Sequence, residues 1–99
     1  MNLSPKEALI LQQLFEAAGA ELYGLQMVKN SDGALKMGTI YVTLGRLEQK
    51  GFVESRREQD PTQAIPRRLY KITSAGSLTF NAWRAGMAAF HASLAGEAA

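Results

Sequence analysis

At Gly51 the hydrophobic pattern changes period, and that change constrains the fold more than any other feature of the 99 residues. Before it, apolar residues recur at helical spacing, with one face of each segment suited to burial. After it, two short stretches alternate in polarity, as half-buried strands do. A long stripe at helical spacing then returns and runs towards the C-terminus. The predicted order is therefore helix, helix, turn, helix, two-stranded hairpin, long helix.

The first helix carries its own start signal. Ser4 as N-cap, Pro5 at the first helical position and Glu7 three residues after the cap form a capping box. Leu11, Leu14, Phe15 and Ala18 follow at helical spacing, and Gly19 is the expected C-cap. A shorter helix is predicted over residues 22–30, with Leu22, Leu25 and Val28 spaced for burial beside Tyr23 and Met27. The cluster Asn30-Ser31-Asp32-Gly33 ends it in a turn.

The third helix is predicted from Met37 to Lys50. Steps of about 100° put Ile40, Leu44 and Leu47 on one narrow core stripe. The opposite face holds Gly38, Thr39, Val42, Gly45, Arg46 and Gln49. Such a face, with one charge and a mid-helix glycine, is unusual for a solvated surface and suits close approach to a grooved partner.

The strands are predicted at Phe52–Glu58 and Arg67–Thr73, joined by the polar stretch Gln59–Pro66. Tyr70 and Ile72 are expected to face the core, Leu69 and Lys71 the other side. Arg56 and Arg57 precede the loop and Arg67 and Arg68 follow it, so four arginines gather near the hairpin tip. The last helix, capped by Thr73 or Ser74, is expected to reach about Leu94 before an Ala-Gly tail that frays. Phe80, Trp83, Met87, Phe90 and Leu94 fall within about an 80° arc, a stripe too long for a small core to cover.

Composition removes most other classes. The chain is 46% hydrophobic and 20% charged, as expected of a single globular domain. It has no apolar run of membrane-spanning length, and Met1–Glu7 has no basic segment or cleavage site, so the expected location is the cytoplasm. The absence of cysteine and a single histidine, His91, leave no expected metal or cofactor site. The acids are scattered, no Gly-rich loop follows a strand, and no serine has a histidine placed beside it, so the enzyme reading is rejected. Net charge is only +2, yet residues 36–71 hold eight bases against four acids while residues 1–35 hold two against four. The middle third is where a polyanion would dock.

The pattern as a whole predicts an α+β, mainly helical chain. Residues 1–73 are expected to form a winged helix-turn-helix of three helices and a two-stranded wing, and residues 74–99 an appended C-terminal helix with a frayed tail. Three stretches also resemble the PadR-like transcriptional regulators. Leu22-Tyr23-Gly24 ("LYG"), Gly38–Val53 ("GTIYVTLGRLEQKGFV") and Arg67–Gly76 ("RRLYKITSAG") match that family's YG, TLYxxLxRLExxGLI and RKYYxLTxxG in order and with spacing intact over residues 20–77. The short chain with one terminal helix is similar to the family's small members, a resemblance that makes the helix of residues 74–99 the dimerisation element. Leu69 stands where the family usually has tyrosine, and Gly45 replaces a larger side chain.

The resemblance implies a regulator that binds double-stranded operator DNA, a repressor relieved by a ligand and acting as a homodimer. Its third helix would enter the major groove, where Thr39 and Gln49 donate hydrogen bonds, Val42 meets a thymine methyl and Arg46 takes a phosphate or guanine edge. Tyr41 on the flank and Lys36 before the helix would meet the DNA backbone, with Arg56, Arg57, Arg67 and Arg68 supplying wing charge. Glu48 is expected to pair or cap within the domain, since a carboxylate facing phosphate repels it. Phe80, Trp83, Met87, Phe90 and Leu94 would form the dimer interface, and Trp83 with Met87 would meet a small aromatic effector. The alternative is a winged-helix module for protein contacts without DNA binding.

Overall fold

The computed structural model describes residues 2–60, 62 and 67–98. Among the described residues, four helices and three short strands occur in the order α1 (Pro5–Glu16), β1 (Leu22–Tyr23), α2 (Gly24–Asn30), α3 (Met37–Gln49), β2 (Val53–Arg57), β3 (Arg68–Ile72) and α4 (Ser74–Ala98). The architecture is α+β, a winged helix with a long C-terminal helix.

Helix α1 begins as its sequence dictates. Ser4 Oγ accepts from the Glu7 amide at 3.1 Å, and the Ser4 amide donates to Glu7 Oε1 at 2.9 Å, closing the capping box. The other oxygen of Glu7 accepts from Lys50 Nζ at 2.7 Å, so the cap of α1 is tied to the residue ending α3. Ile10, Leu11 and Leu14 of α1 are fully buried against Ile40, Leu44 and Leu47 of α3. The helix stops at Glu16, earlier than Gly19. Ala18 lies outside it, exposed, with φ 54°, a conformation that removes it from the helical register.

Two expectations for the next segment are corrected. Leu22 and Tyr23 form a strand, because Tyr23 is extended (φ −103°, ψ 163°) and its amide is taken by Gln26 Oε1 at 2.9 Å. They pair antiparallel with Tyr70 and Leu69, which makes the sheet three-stranded in the order β1-β3-β2. Starting α2 at Gly24 also turns its face: Met27 is fully buried, whereas Leu25 is 40% exposed.

One junction connects the rest. Gly51 (φ 80°) ends α3 and Phe52 leads into β2, with the Phe52 amide bonded back to Leu47 O. Thr73 then caps α4: its Oγ1 accepts from the Gly76 amide at 3.0 Å and donates to Gly51 O at 2.6 Å, while its own amide donates to Phe52 O. Gly76 lies so close that an added Cβ would be 2.0 Å from Phe52 O. Only glycine permits that approach.

Beyond its first turns α4 leaves the body, giving a molecule with extents of 59 × 27 × 21 Å. The helix continues past Leu94 to Ala98, where alanine, the best helix former, recurs at 92, 95 and 98 and no proline interrupts it. The residues expected for the wing loop are described only in part, since residues 61 and 63–66 lie outside the described set.

Burial pushes the Glu7 carboxyl up, but the Lys50 ammonium and the Ser4 amide and hydroxyl outweigh it and hold the group below its ordinary value of 4.5. A carboxylate lowered in the folded state stabilises above its unfolded value, and that contribution is lost as pH falls through the folded one. Glu7→Gln is expected to cost about 1–2 kcal/mol at neutral pH, with the difference from the parent shrinking below pH 4.5. Urea unfolding across pH checks this.

Candidate nucleic-acid interface

Helix α3 is held by its inner stripe and presents the opposite face to solvent. Thr39, Arg46 and Gln49 are exposed, as are Tyr41 at 48% and Val42 at 57%. Lys36, the N-cap, is exposed at the entrance to the helix. The Thr39 hydroxyl makes only a long bond to Lys36 O, at 3.5 Å, leaving most of its hydrogen-bonding capacity for an outside partner. Tyr41 lies on the flank against α2, where a Cβ on Gly24 would stand 2.7 Å from its hydroxyl oxygen. The YG of the second segment and the tyrosine of α3 are thus packing partners. Gly38 and Gly45 have no atom within 4 Å of a built Cβ, so nothing within the described residues requires glycine at either position.

The wing has two chemically distinct faces, set by its register. Val53, Ser55 and Arg57 pair with Ile72, Tyr70 and Arg68, and Glu54 and Arg56 pair with Lys71 and Leu69. On the second face the charges neutralise one another. Arg56 makes a bidentate pair with Glu21 at 2.7 and 2.8 Å, and Arg67 makes another with Glu58 at 2.7 and 3.1 Å. Lys71 Nζ lies 3.2 Å from Glu54. The Arg67 guanidinium also sits 4.2 Å over the Tyr23 ring. Hydrogen bonding to Arg56 holds the Glu21 carboxyl below its usual range, and the carboxylates raise Arg56 and Arg67.

On the first face Arg68 Nη1 donates to Ser55 Oγ at 3.0 Å, and Ser55 donates to Glu48 of α3. Glu48 therefore bonds within the domain, to a hydroxyl rather than directly to a base. Beneath them Tyr70 is buried, and burial together with the Glu48 charge pushes its hydroxyl up. Arg57 forms no hydrogen bond or ion pair with another described residue. The four wing arginines are thus not equivalent: two are bound by carboxylates on one face, and two lie on the face shared with α3.

The sequence profile of the transcriptional regulator PadR-like family matches residues 10–82, which is most of the chain. This chain belongs to the PadR-like family. Its fold resembles a PadR family transcription regulator from Clostridium difficile R20291, with TM-score 0.81, 20% identity, and coverage of 97% of this chain and all of that one. A regulator of the same family from Eggerthella lenta gives TM-score 0.75 and 24% identity over 90% of this chain and 77% of its own. Bacillus subtilis PadR, solved in complex with operator DNA, gives TM-score 0.71 and 22% identity over 83% of this chain, which spans 48% of that protein. No curated protein sequence gives a significant match. The family and these structural neighbours are transcription regulators, not enzymes.

In this PadR-like chain the α4 stripe divides in two. Phe80 is 3% exposed and belongs to the domain's own core, 5.3 Å from Phe15 between ring centroids and 6.2 Å from Trp83. Trp83 is half-buried, while Met87, Phe90 and Leu94 are exposed. Trp83 and Met87 line an open apolar groove of about 490 Å³ against Leu3, Pro5, Ala8, Leu9 and Gln12. His91 lies beside Phe90, 5.9 Å between centroids. Among the described residues there is no cluster of metal-ligating side chains, and no helix is long and apolar enough to cross a membrane.

Sequence reasoning missed Ser55 and the separation of the arginines. Strict alternation from Val53 was the available signal for one of these, since it puts Ser55 and Arg57 on the core side of β2. The partner of Arg56 lies 35 residues away, where no local pattern points.

Gly45→Ala is expected to stabilise the folded chain by about 0.5–1 kcal/mol, because a mid-helix Cβ enters open space and removes backbone entropy from the unfolded state. Thermal unfolding should show the midpoint rising by a few degrees.

Proposed function

We propose that the protein is a homodimeric, sequence-specific DNA-binding repressor that works in the cytoplasm, with α3 in the major groove. The observation that carries this reading is the outward face of α3. Thr39, Val42, Arg46 and Gln49 stand free on a helix whose only outward cation is Arg46, beside two glycines that leave room for close approach. A family that regulates transcription, and a structural neighbour solved on operator DNA, support it. Thr39 and Gln49 donate to base edges, Val42 contacts a thymine methyl, and Arg46 takes a guanine edge or a phosphate. Lys36 and Tyr41 meet the backbone on either side of the helix entrance, and Arg57 and Arg68 of the wing add phosphate charge.

The exposed Met87, Phe90 and Leu94 give the dimer interface, extended by Trp83. A helix of 25 residues whose apolar stripe beyond Trp83 remains exposed gains stability by covering that stripe. The α1–α4 groove, lined by Trp83 and Met87, offers an apolar cleft for a small aromatic effector next to that interface. A ligand there would change the angle between the two α4 helices and so the spacing of the two α3 helices.

Fluorescence-anisotropy titration against the DNA upstream of its own coding sequence and a shuffled duplex tests DNA recognition. Preference for the upstream duplex by roughly 10³ or more, with a steep salt dependence, is expected. Absence of binding to either duplex at low salt would overturn the reading in favour of a protein-contact module. Phe90→Glu, read by sedimentation velocity, is expected to give monomers that bind the upstream duplex at least ten-fold more weakly. A Phe90→Glu protein that remained dimeric would remove α4 from the interface.

A further inference from the structure

Three polar groups from three elements form an unbroken chain between the wing and α3. The Arg68 guanidinium on β3 donates to Ser55 Oγ on β2 at 3.0 Å, and Ser55 passes its own proton towards Glu48 Oε1 on α3. A serine hydroxyl has one proton to give and lone pairs to receive, so the order guanidinium, hydroxyl, carboxylate satisfies it in both roles. Ser55 stands two positions inward from Arg57, which faces Arg68 across the strand pair. Arg68 remains exposed, with one of its donors used in this chain.

An acidic side chain on the helix that faces a polyanion needs a reason, because an uncompensated carboxylate there repels phosphate. We propose that Glu48 is a positioning residue for DNA contact: through Ser55 it holds Arg68, beside Arg57, towards a phosphate, while Arg56 and Arg67 do not contact DNA. The inference rests on the DNA-binding reading above and divides four similar arginines into two classes. Arg56 and Arg67 each hold a carboxylate with two bonds, and Arg67 covers Tyr23 as well. Turning either to phosphate exchanges one bidentate charge-assisted pair for another and gains little. Arg56 also stands on the wing face opposite Ser55, the residue that bonds α3. Arg57 has no described partner to give up, and Arg68 gives up none, since its bond to Ser55 persists with phosphate on the remaining donors.

The test is anisotropy with a fluorescein-labelled duplex of the upstream DNA over a range of salt, on the full chain and on variants whose melting curves show them folded. Arg57→Gln and Arg68→Gln are each expected to lower the slope of log affinity against log salt by about one, while Arg56→Gln and Arg67→Gln leave it unchanged. Ser55→Ala should weaken binding by roughly three- to ten-fold in the parent and not at all in the Arg68→Gln background. Ser55→Thr, which keeps the hydroxyl, should bind like the parent. Equal slope changes for all four arginines, or a Ser55→Ala loss of the same size in both backgrounds, would overturn the assignment and leave DNA binding standing. A parent protein that binds neither this duplex nor a shuffled one removes the regulator reading and this inference together.

Discussion

The packing of Gly76 against the backbone of Phe52 is the contact on which the rest of the molecule depends. Four elements meet there: α3 ends at Gln49 just before Gly51, β2 begins at Val53, β3 ends at Ile72 and α4 starts at Ser74. Thr73 bonds both Gly51 and Phe52, and the missing side chain at Gly76 lets the first turn of α4 lie against that backbone. Two bonds from one residue, the Thr73 hydroxyl to Gly51 O and its amide to Phe52 O, leave little angular freedom. The direction of α3, the pitch of the wing and the departure of α4 are therefore one geometric quantity rather than three.

Charge in the middle of the chain is organised by pairing. The sequence shows an excess of bases over residues 36–71, but Lys50, Arg56, Arg67 and Lys71 each have a carboxylate partner. The three pairs on the wing, at Arg56, Arg67 and Lys71, add little to stability, yet they cancel field on the side where they lie. What remains is Lys36, Arg46, Arg57 and Arg68, with Glu48 among them. The modest net charge thus conceals a directional one, stronger on the α3 side of the wing than the composition suggests.

Much of this was legible in the sequence because it is written locally. The capping box of Ser4 and Glu7, the Ile40–Leu44–Leu47 stripe and the burial of Tyr70 each follow from spacing within one element. Strand β1 was not legible, since two residues are too few to show alternation and Leu22-Tyr23 fits a helical pattern equally well. Its identity comes from its partners in β3, Leu69 and Tyr70, which lie 46 and 48 positions away along the chain. The arginine pairs are hidden for the same reason. The four charges adjoin the wing loop in sequence, but only strand register and the position of Glu21 decide which of them are already occupied.

The division of α4 follows from size. A body of about seventy residues can cover the helix as far as Phe80 and half of Trp83, and there its surface ends. Beyond that point Met87, Phe90 and Leu94 continue the same stripe and remain exposed. Because the Thr73–Gly76 junction fixes α4 relative to α3, whatever covers that stripe also inherits control over where α3 points. In the proposed dimer a symmetric partner would set the distance between two recognition helices through the crossing of the α4 pair. The Trp83–Met87 groove lies at the point where each α4 leaves its own body. A molecule wedged there would act on the lever near its fulcrum, so a small displacement at the groove becomes a large one at the ends of α3.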